Sequence, residues 1–248
     1  MSAPDGAPDG AAAVRARGLG LRSGGREVFA GVDLDVPAGS LLVVRGGGGS
    51  GKTSLLLTLA GRMRPTAGSL RVLGQPLPAR AAAVRRRAAL AEVRGVNDLD
   101  DALTVEQHVA ERVVLHQPWW RPWATRAQVE AQLERVERVV ALTPRAGGPA
   151  PVLHRRAFVS DLDALERLAL GVVLALVGRP ALLVVDDVDA LRRADDRRRA
   201  WRALGALQRT SPEPLTVVAS CTDDPDLPDP DLPDGAGGGT VLLDLQDL

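Results

Sequence analysis

Nine consecutive residues carry the first chemistry legible in this chain: Gly46, Gly47, Gly48, Gly49, Ser50, Gly51, Lys52, Thr53 and Ser54. They complete the spacing G-x-x-x-x-G-K-[ST], in which glycine amides crowd around phosphates, the lysine reaches the outer ones and the hydroxyl ligates Mg2+. The run from Gly46 to Ser50 is also, letter for letter, the repeat of a flexible linker. Context decides between the two. A linker needs polar, unstructured flanks, whereas Leu41 to Val44 form a β-prone apolar run and Thr53 to Leu59 continue as an apolar helix. Strand, glycine loop and helix in that order make the phosphate-binding context. Lys52 is the only lysine among the 31 basic residues, and it stands where a flexible ammonium rather than a planar guanidinium is needed.

A phosphate-bound metal needs a second hard ligand beside Thr53, and Asp186, at the end of the apolar run ALLVV, is the candidate. Strand-end carboxylates also cap sheets and helices; the presence of the glycine loop favours the metal role. Asp187 follows directly as a further carboxylate.

The elements that must position these groups follow from periodicity. VRARGLGL, REVF, VDLDV and SLLVV read as short antiparallel-style strands leading into the loop, KTSLLLTLAGRM as a helix ending near Arg64 and Pro65, and GSLRVLG as a strand. AALAEV carries only a weak strand signal. Val105, Val109 and Val113 share one helical face, as do Val129, Leu133, Val136 and Val140, with the loop HQPWWRPW between them. A long buried helix from Leu162, the strand ALLVVDD, a polar helix at about 195–207, and the strands LTVVAS and TVLLDL complete the pattern. Strands alternating with helices imply an α/β core with a mainly parallel sheet. Residues 1–13, rich in Ala, Pro, Gly and Asp, read as a disordered tail, and 14–248 as one domain with a helical subdomain at about 104–175.

Bulk properties narrow the function classes. Acidic and basic residues balance at 31 each, so no overall field favours nucleic acid or an anionic membrane, and no nucleic acid is expected as a partner. A single cysteine, Cys221, and an N-terminus with neither a basic nor an apolar leader region fit a reducing cytosol. The longest apolar run, LALGVVLALVG, falls short of the roughly 20 residues that cross a bilayer.

The order of a β lead-in, GGGGSGKTSLLLTLAG, a helical insertion, LVGRPALLVVDD and LTVVAS resembles the ATP-binding cassette (ABC) ATPases of membrane transporters. The resemblance implies a P-loop NTPase of ABC type that binds ATP and Mg2+ through residues 46–54, with Thr53 and Asp186 as metal ligands and Asp187 in the catalytic position. It also implies a transmembrane transporter subunit as partner, a dimer with itself or a second nucleotide-binding subunit, and a place at the cytoplasmic face of the membrane held through that partner.

Several positions depart from the family pattern. Asp187 replaces a glutamate and sits one methylene further back, Cys221 stands at the switch histidine, and Ser23 replaces the adenine-stacking aromatic. LDALE, residues 162–166, stands at the signature L-S-G-G-Q, where Asp163 reads more simply as a helix cap. Glu92 is the best-placed residue for the Q-loop glutamine. Trp119, Trp120 and Trp123 read as pins for the insertion loop or, less commonly, as a partner anchor. The expected function is an ATP-binding transporter subunit with weakened catalytic groups. The alternatives are a non-hydrolysing pseudo-ATPase regulatory module and, fitting less well, another P-loop ATPase or kinase.

Overall fold

The computed structural model describes residues 12–91, 93, 95–141, 154–223 and 239–245. Strand β1 (Ala12–Ser23) pairs antiparallel with β2 (Arg26–Pro37). The connection is the two-residue turn Gly24–Gly25, whose φ angles of 56° and 78° suit the twist of a tight hairpin. Strand β4 (Ala67–Val72) pairs on the other side of β1, and β5 (Gln75–Leu77) extends this antiparallel sheet in the order β2-β1-β4-β5.

The second sheet is parallel, in the order β6-β7-β8-β3-β9, with β3 at Leu41–Arg45, β6 at Ala88–Leu90, β7 at Leu182–Val185, β8 at Thr216–Cys221 and β9 at Thr240–Asp244. Period-2 alternation splits its strands between two cores. Leu41, Val43, Leu183, Val185, Val217 and Ala219 face one hydrophobic cluster, whereas Leu42, Val44, Leu182, Val184 and Val218 face the other, which also holds the apolar residues of the antiparallel sheet. Both faces are covered, so β3, β7 and β8 read as continuous apolar runs.

The helices are α1 (Lys52–Leu59), α2 (Ala81–Arg87), α3 (Val105–Leu115), α4 (Arg126–Ala141), α5 (Ala164–Leu176) and α6 (Ala194–Thr210). Helices α3, α4 and α5 pack on one another, and α5 also reaches β6 and β7. Val105, Val109 and Val113 of α3 and Val129 and Leu133 of α4 are buried as their spacing predicts; Val136 and Val140 lie outside the described side chains.

Four local expectations are corrected. SLLVV belongs to the parallel sheet, because β3 pairs with β8 and β9 rather than with the antiparallel strands. REVF and VDLDV form one strand, since Gly31 at φ 68° carries the chain through without a break. Helix α1 stops at Leu59, well before Pro65. Gly61, at φ 70°, ends it with Gly61 N donating to Thr58 O at 3.0 Å and Arg62 N to Leu57 O at 2.8 Å, the two bonds of a Schellman motif. Ala12 and Ala13 are paired in β1 instead of lying in a tail; residues 1–11 lie outside the described residues.

Candidate nucleotide site

The C-terminal ends of three neighbouring parallel strands bring the site together. Strand β3 leads into the glycine loop, β7 ends beside Asp186, and β8 runs between them. Crevices outside the carboxyl ends of parallel strands are where such sheets bind ligands.

Residues 46–51 curve over the start of α1. Gly46 N donates to Cys221 O at 3.2 Å, which ties the loop to the end of β8. Gly49 and Gly51 hold φ angles of 81° and 90°. At Gly51 a Cβ would come within 2.5 Å of Val28 O, so strand β2 presses on the loop from outside and only glycine fits. Around Gly48 and Gly49, by contrast, an added Cβ meets nothing within 4 Å.

Lys52 Nζ donates to the carbonyls of Gly46 at 2.6 Å and Gly47 at 2.8 Å, folding its ammonium back over the loop. Thr53 Oγ1 donates to Asp186 Oδ2 at 2.6 Å. Ser220 Oγ donates to the other carboxylate oxygen, Oδ1, at 2.6 Å, and accepts from Asp187 N at 2.8 Å. One hydroxyl on the intervening strand therefore orients both acids. Asp187 takes a left-handed backbone, φ 51° and ψ 60°, and its side chain is exposed.

Three features fit a bound phosphate. Helix α1 begins at Gly51 with no side-chain cap and no acidic residue in its first turn, leaving its amides and positive dipole end for an anion. Lys52 supplies the cation. Among the described residues, Ser50 Oγ is buried with no hydrogen-bond partner, a donor in want of an acceptor. For the metal, Thr53 and Asp186 already form a contiguous pair of hard oxygens. No group of three or more His, Cys, Asp or Glu able to hold an ion exists among the described residues. A divalent ion here would complete its shell with phosphate oxygens and water, as Mg2+ does in nucleotide sites.

The departing positions have definite places. Asp163 caps α5: its carboxylate accepts from Glu166 N at 2.9 Å while Glu166 returns a bond to Asp163 N at 2.9 Å. The helix start at LDALE is thus closed by its own side chains. Cys221 is fully buried, and burial, then the nearby Asp189, pushes its thiol up to about 12. The thiol therefore stays neutral and enclosed, while Thr222 beyond it is exposed, its amide held with that of Asp223 by Asp189. Phe29 is a core residue, and Ser23 is exposed at the end of β1. Glu92 lies outside the described residues. His108 is buried with Nε2 3.0 Å from Asp100 O, whereas His116 and His154 are exposed. The tryptophans do not pin their loop: Trp119, Trp120 and Trp123 are 88%, 63% and 65% exposed. Arg197 faces Asp189 at 3.6 Å.

Sequence reasoning missed Ser220, Val28 and Asp189. Ser220 left one usable trace, a hydroxyl at the end of an otherwise apolar buried strand. The Val28 carbonyl is backbone and left none.

Comparison with known proteins agrees with this architecture. The family model for the ABC transporter family matches residues 29–190. The cytochrome c biogenesis ATP-binding export protein CcmA of Pseudomonas putida is 37% identical over 123 residues, 50% of this chain and 55% of that protein, so the chain spans about half the length of this curated relative. The protein of the same name from Paraburkholderia xenovorans is 33% identical over 190 residues, 74% of this chain and 78% of the relative. Among solved structures, cbiO1 from Clostridium perfringens, part of the ABC transporter complex cbiONQ, superposes with a TM-score of 0.69 at 16% identity, covering 86% of this chain and 79% of that one. The dimeric structure of MJ0796, a bacterial ABC transporter cassette, gives 0.65 at 15% identity, covering 85% and 88%.

Proposed function

The chain belongs to the ABC transporter family, and from that premise we propose that it is the ATP-binding subunit of a membrane transport or export complex, binding Mg-ATP on residues 46–54. The observation that carries the reading is the open anion cradle: an uncapped α1 start, the Lys52 ammonium within the loop, and a partnerless buried Ser50 hydroxyl. Gly46, Gly47, Gly48, Gly49, Ser50, Gly51 and Ser54 would line the phosphates with Lys52. Lys52 would exchange its two carbonyl partners for phosphate oxygens, and Thr53 and Asp186 would hold the Mg2+. The metal supplies charge neutralisation of the phosphates. Ser220 keeps the Asp186 carboxylate turned toward Thr53, and Asp187 would orient the attacking water.

Among the described residues no helix is long and apolar enough to cross a membrane, so attachment through a transmembrane transporter subunit suits the chain. We place it at the cytoplasmic face, paired with a second copy or another nucleotide-binding subunit.

A second reading, a non-hydrolysing pseudo-ATPase, is favoured by the self-capped Asp163 and the enclosed Cys221, neither of which offers a donor to phosphate. Mg-ATP titration of the purified chain, beside Lys52→Ala, tests binding: the wild type binds and the variant loses at least tenfold in affinity. Equal behaviour of the two at millimolar ATP overturns the assignment. Phosphate release measured against Asp186→Asn then separates the readings, since turnover above that control excludes the pseudo-ATPase.

A further inference from the structure

The two residues that follow β8 are held by a carboxylate from another part of the chain. Thr222 N and Asp223 N both donate to Asp189 Oδ2, the second at 3.2 Å. Asp189 lies in the short 3-10 turn Val188–Ala190, which starts directly after Asp187, and its side chain is only 15% exposed. Its other oxygen, Oδ1, faces Arg197 Nε at 3.6 Å, and Arg197 donates in turn to the carbonyls of Leu191 at 3.2 Å and Arg192 at 3.3 Å. Two amides and a guanidinium thus share one carboxylate. They tie the end of β8 to the first turns of α6 and offset the negative charge of Asp189.

The segment held in this way borders the nucleotide site. Strand β8 lies between β3 and β7, so the chain that leaves it emerges between the glycine loop and Asp186. Gly46 N donates to Cys221 O at 3.2 Å on one side, Asp189 takes the Thr222 amide on the other, and Ser220 bonds Asp186. Alternation along β8 turns Ser220 toward Asp186 and Cys221 into the core, and Thr222 is the first residue past the strand. Among the described residues the Thr222 hydroxyl has no partner. Of Asp187, Thr222 and Asp223, all exposed here, only Thr222 carries a side-chain donor, whereas the two carboxylates repel an anion.

We infer that Thr222 recognises the terminal phosphate of the bound nucleotide by donating its hydroxyl, and that Asp189 is the positioning residue that holds Thr222 in place. The inference rests on the nucleotide-binding reading above and deepens it, because it assigns the choice between a nucleoside triphosphate and a diphosphate to one neutral donor. The terminal phosphate is the one concerned. Inner phosphates rest on the loop and α1 amides, while Lys52 and the Thr53–Asp186 pair mark the outer end of the chain of phosphates, beside which β8 ends. The backbone tie to Asp189 keeps the hydroxyl there without ordering cost at the moment of binding.

The test is titration of the purified full chain with Mg-ATP and with Mg-ADP, read by binding alone. Thr222→Val keeps the side-chain shape and removes the donor. ATP affinity should fall about tenfold, the size of one hydrogen bond to a charged group, while ADP affinity holds. Thr222→Ser should restore the preference for ATP. Asp189→Ala should erode that preference in the same way, a readout that a loss of stability by itself does not move. Combined with Thr222→Val it should cost no further ATP affinity, since both act through one hydroxyl. An unchanged ATP-over-ADP preference in Thr222→Val overturns the assignment of Thr222. Equal weakening of both nucleotides in Asp189→Ala, or no weakening, overturns the positioning role. A wild-type chain that binds neither nucleotide overturns the proposed function and this inference with it; one that binds both equally well overturns this inference alone.

Discussion

The Thr53 hydroxyl donates a 2.6 Å hydrogen bond to Asp186 Oδ2 across 133 residues of sequence. The two are brought together because β3 and β7 flank β8, so the residue after the glycine loop and the residue after β7 emerge at the same edge of the sheet. Ser220, on the strand between, completes the arrangement by donating to Asp186 Oδ1.

That bridge leads to a first prediction. Ser220→Ala removes the donor to Asp186 and strands the Asp187 amide, a change worth ~1–3 kcal/mol where the group is buried. We expect the thermal midpoint to fall and Mg2+ to lose most of its effect on ATP affinity, while metal-free ATP binding stays near wild type. Parallel titrations with and without Mg2+ check this. An unchanged Mg2+ effect would show that Ser220 does not orient the metal ligand.

The glycines of the loop are not equivalent. Gly51→Ala must put a Cβ 2.5 Å from Val28 O at a φ of 90°, which strains the backbone by ~1–3 kcal/mol and displaces the start of α1. Gly48→Ala enters open space. Thermal melts should show Gly51→Ala clearly destabilised and Gly48→Ala within about 1 °C of wild type, a small surface effect. The reverse order would refute the contact with β2.

Asp163→Ala separates a structural cap from a nucleotide contact. The capping box is complete, so its loss should cost about 1 kcal/mol and lower the midpoint by ~2–4 °C. Mg-ATP affinity of the isolated chain should not change. A tenfold loss of affinity without loss of stability would mean that Asp163 acts on nucleotide after all.

Cys221 gives a pH dependence whose sign follows from burial. The folded thiol is raised to about 12, above the unfolded value of about 8.5, so its contribution is complete below that value and is lost as the pH climbs between the two. Urea midpoints should decline over that range less steeply in Cys221→Ala than in wild type. Alkylation by iodoacetamide near neutral pH should be slow in the native chain and fast in urea. Rapid native labelling would contradict the buried position.

The chain's local chemistry was readable residue by residue. The glycine spacing, the lone lysine and the apolar flanks determined a strand, a phosphate loop and a helix, because backbone permissiveness, charge and periodicity are properties of neighbours. The alternation of apolar runs likewise specified an α/β core, and the aspartate at the start of the long buried helix specified the cap at Asp163. Pairing was another matter. SLLVV is equally apolar whichever sheet takes it, and only its register against β8 and β9 put the glycine loop at the edge it shares with Asp186. The end of α1 turned on Gly61 overriding a helical pattern that runs on to Met63. Ser220, the Val28 carbonyl and the outward-facing tryptophans depended on which surfaces remain uncovered after packing. Contacts between residues far apart in the chain are set by the summed burial of whole elements, which no single stretch of sequence records.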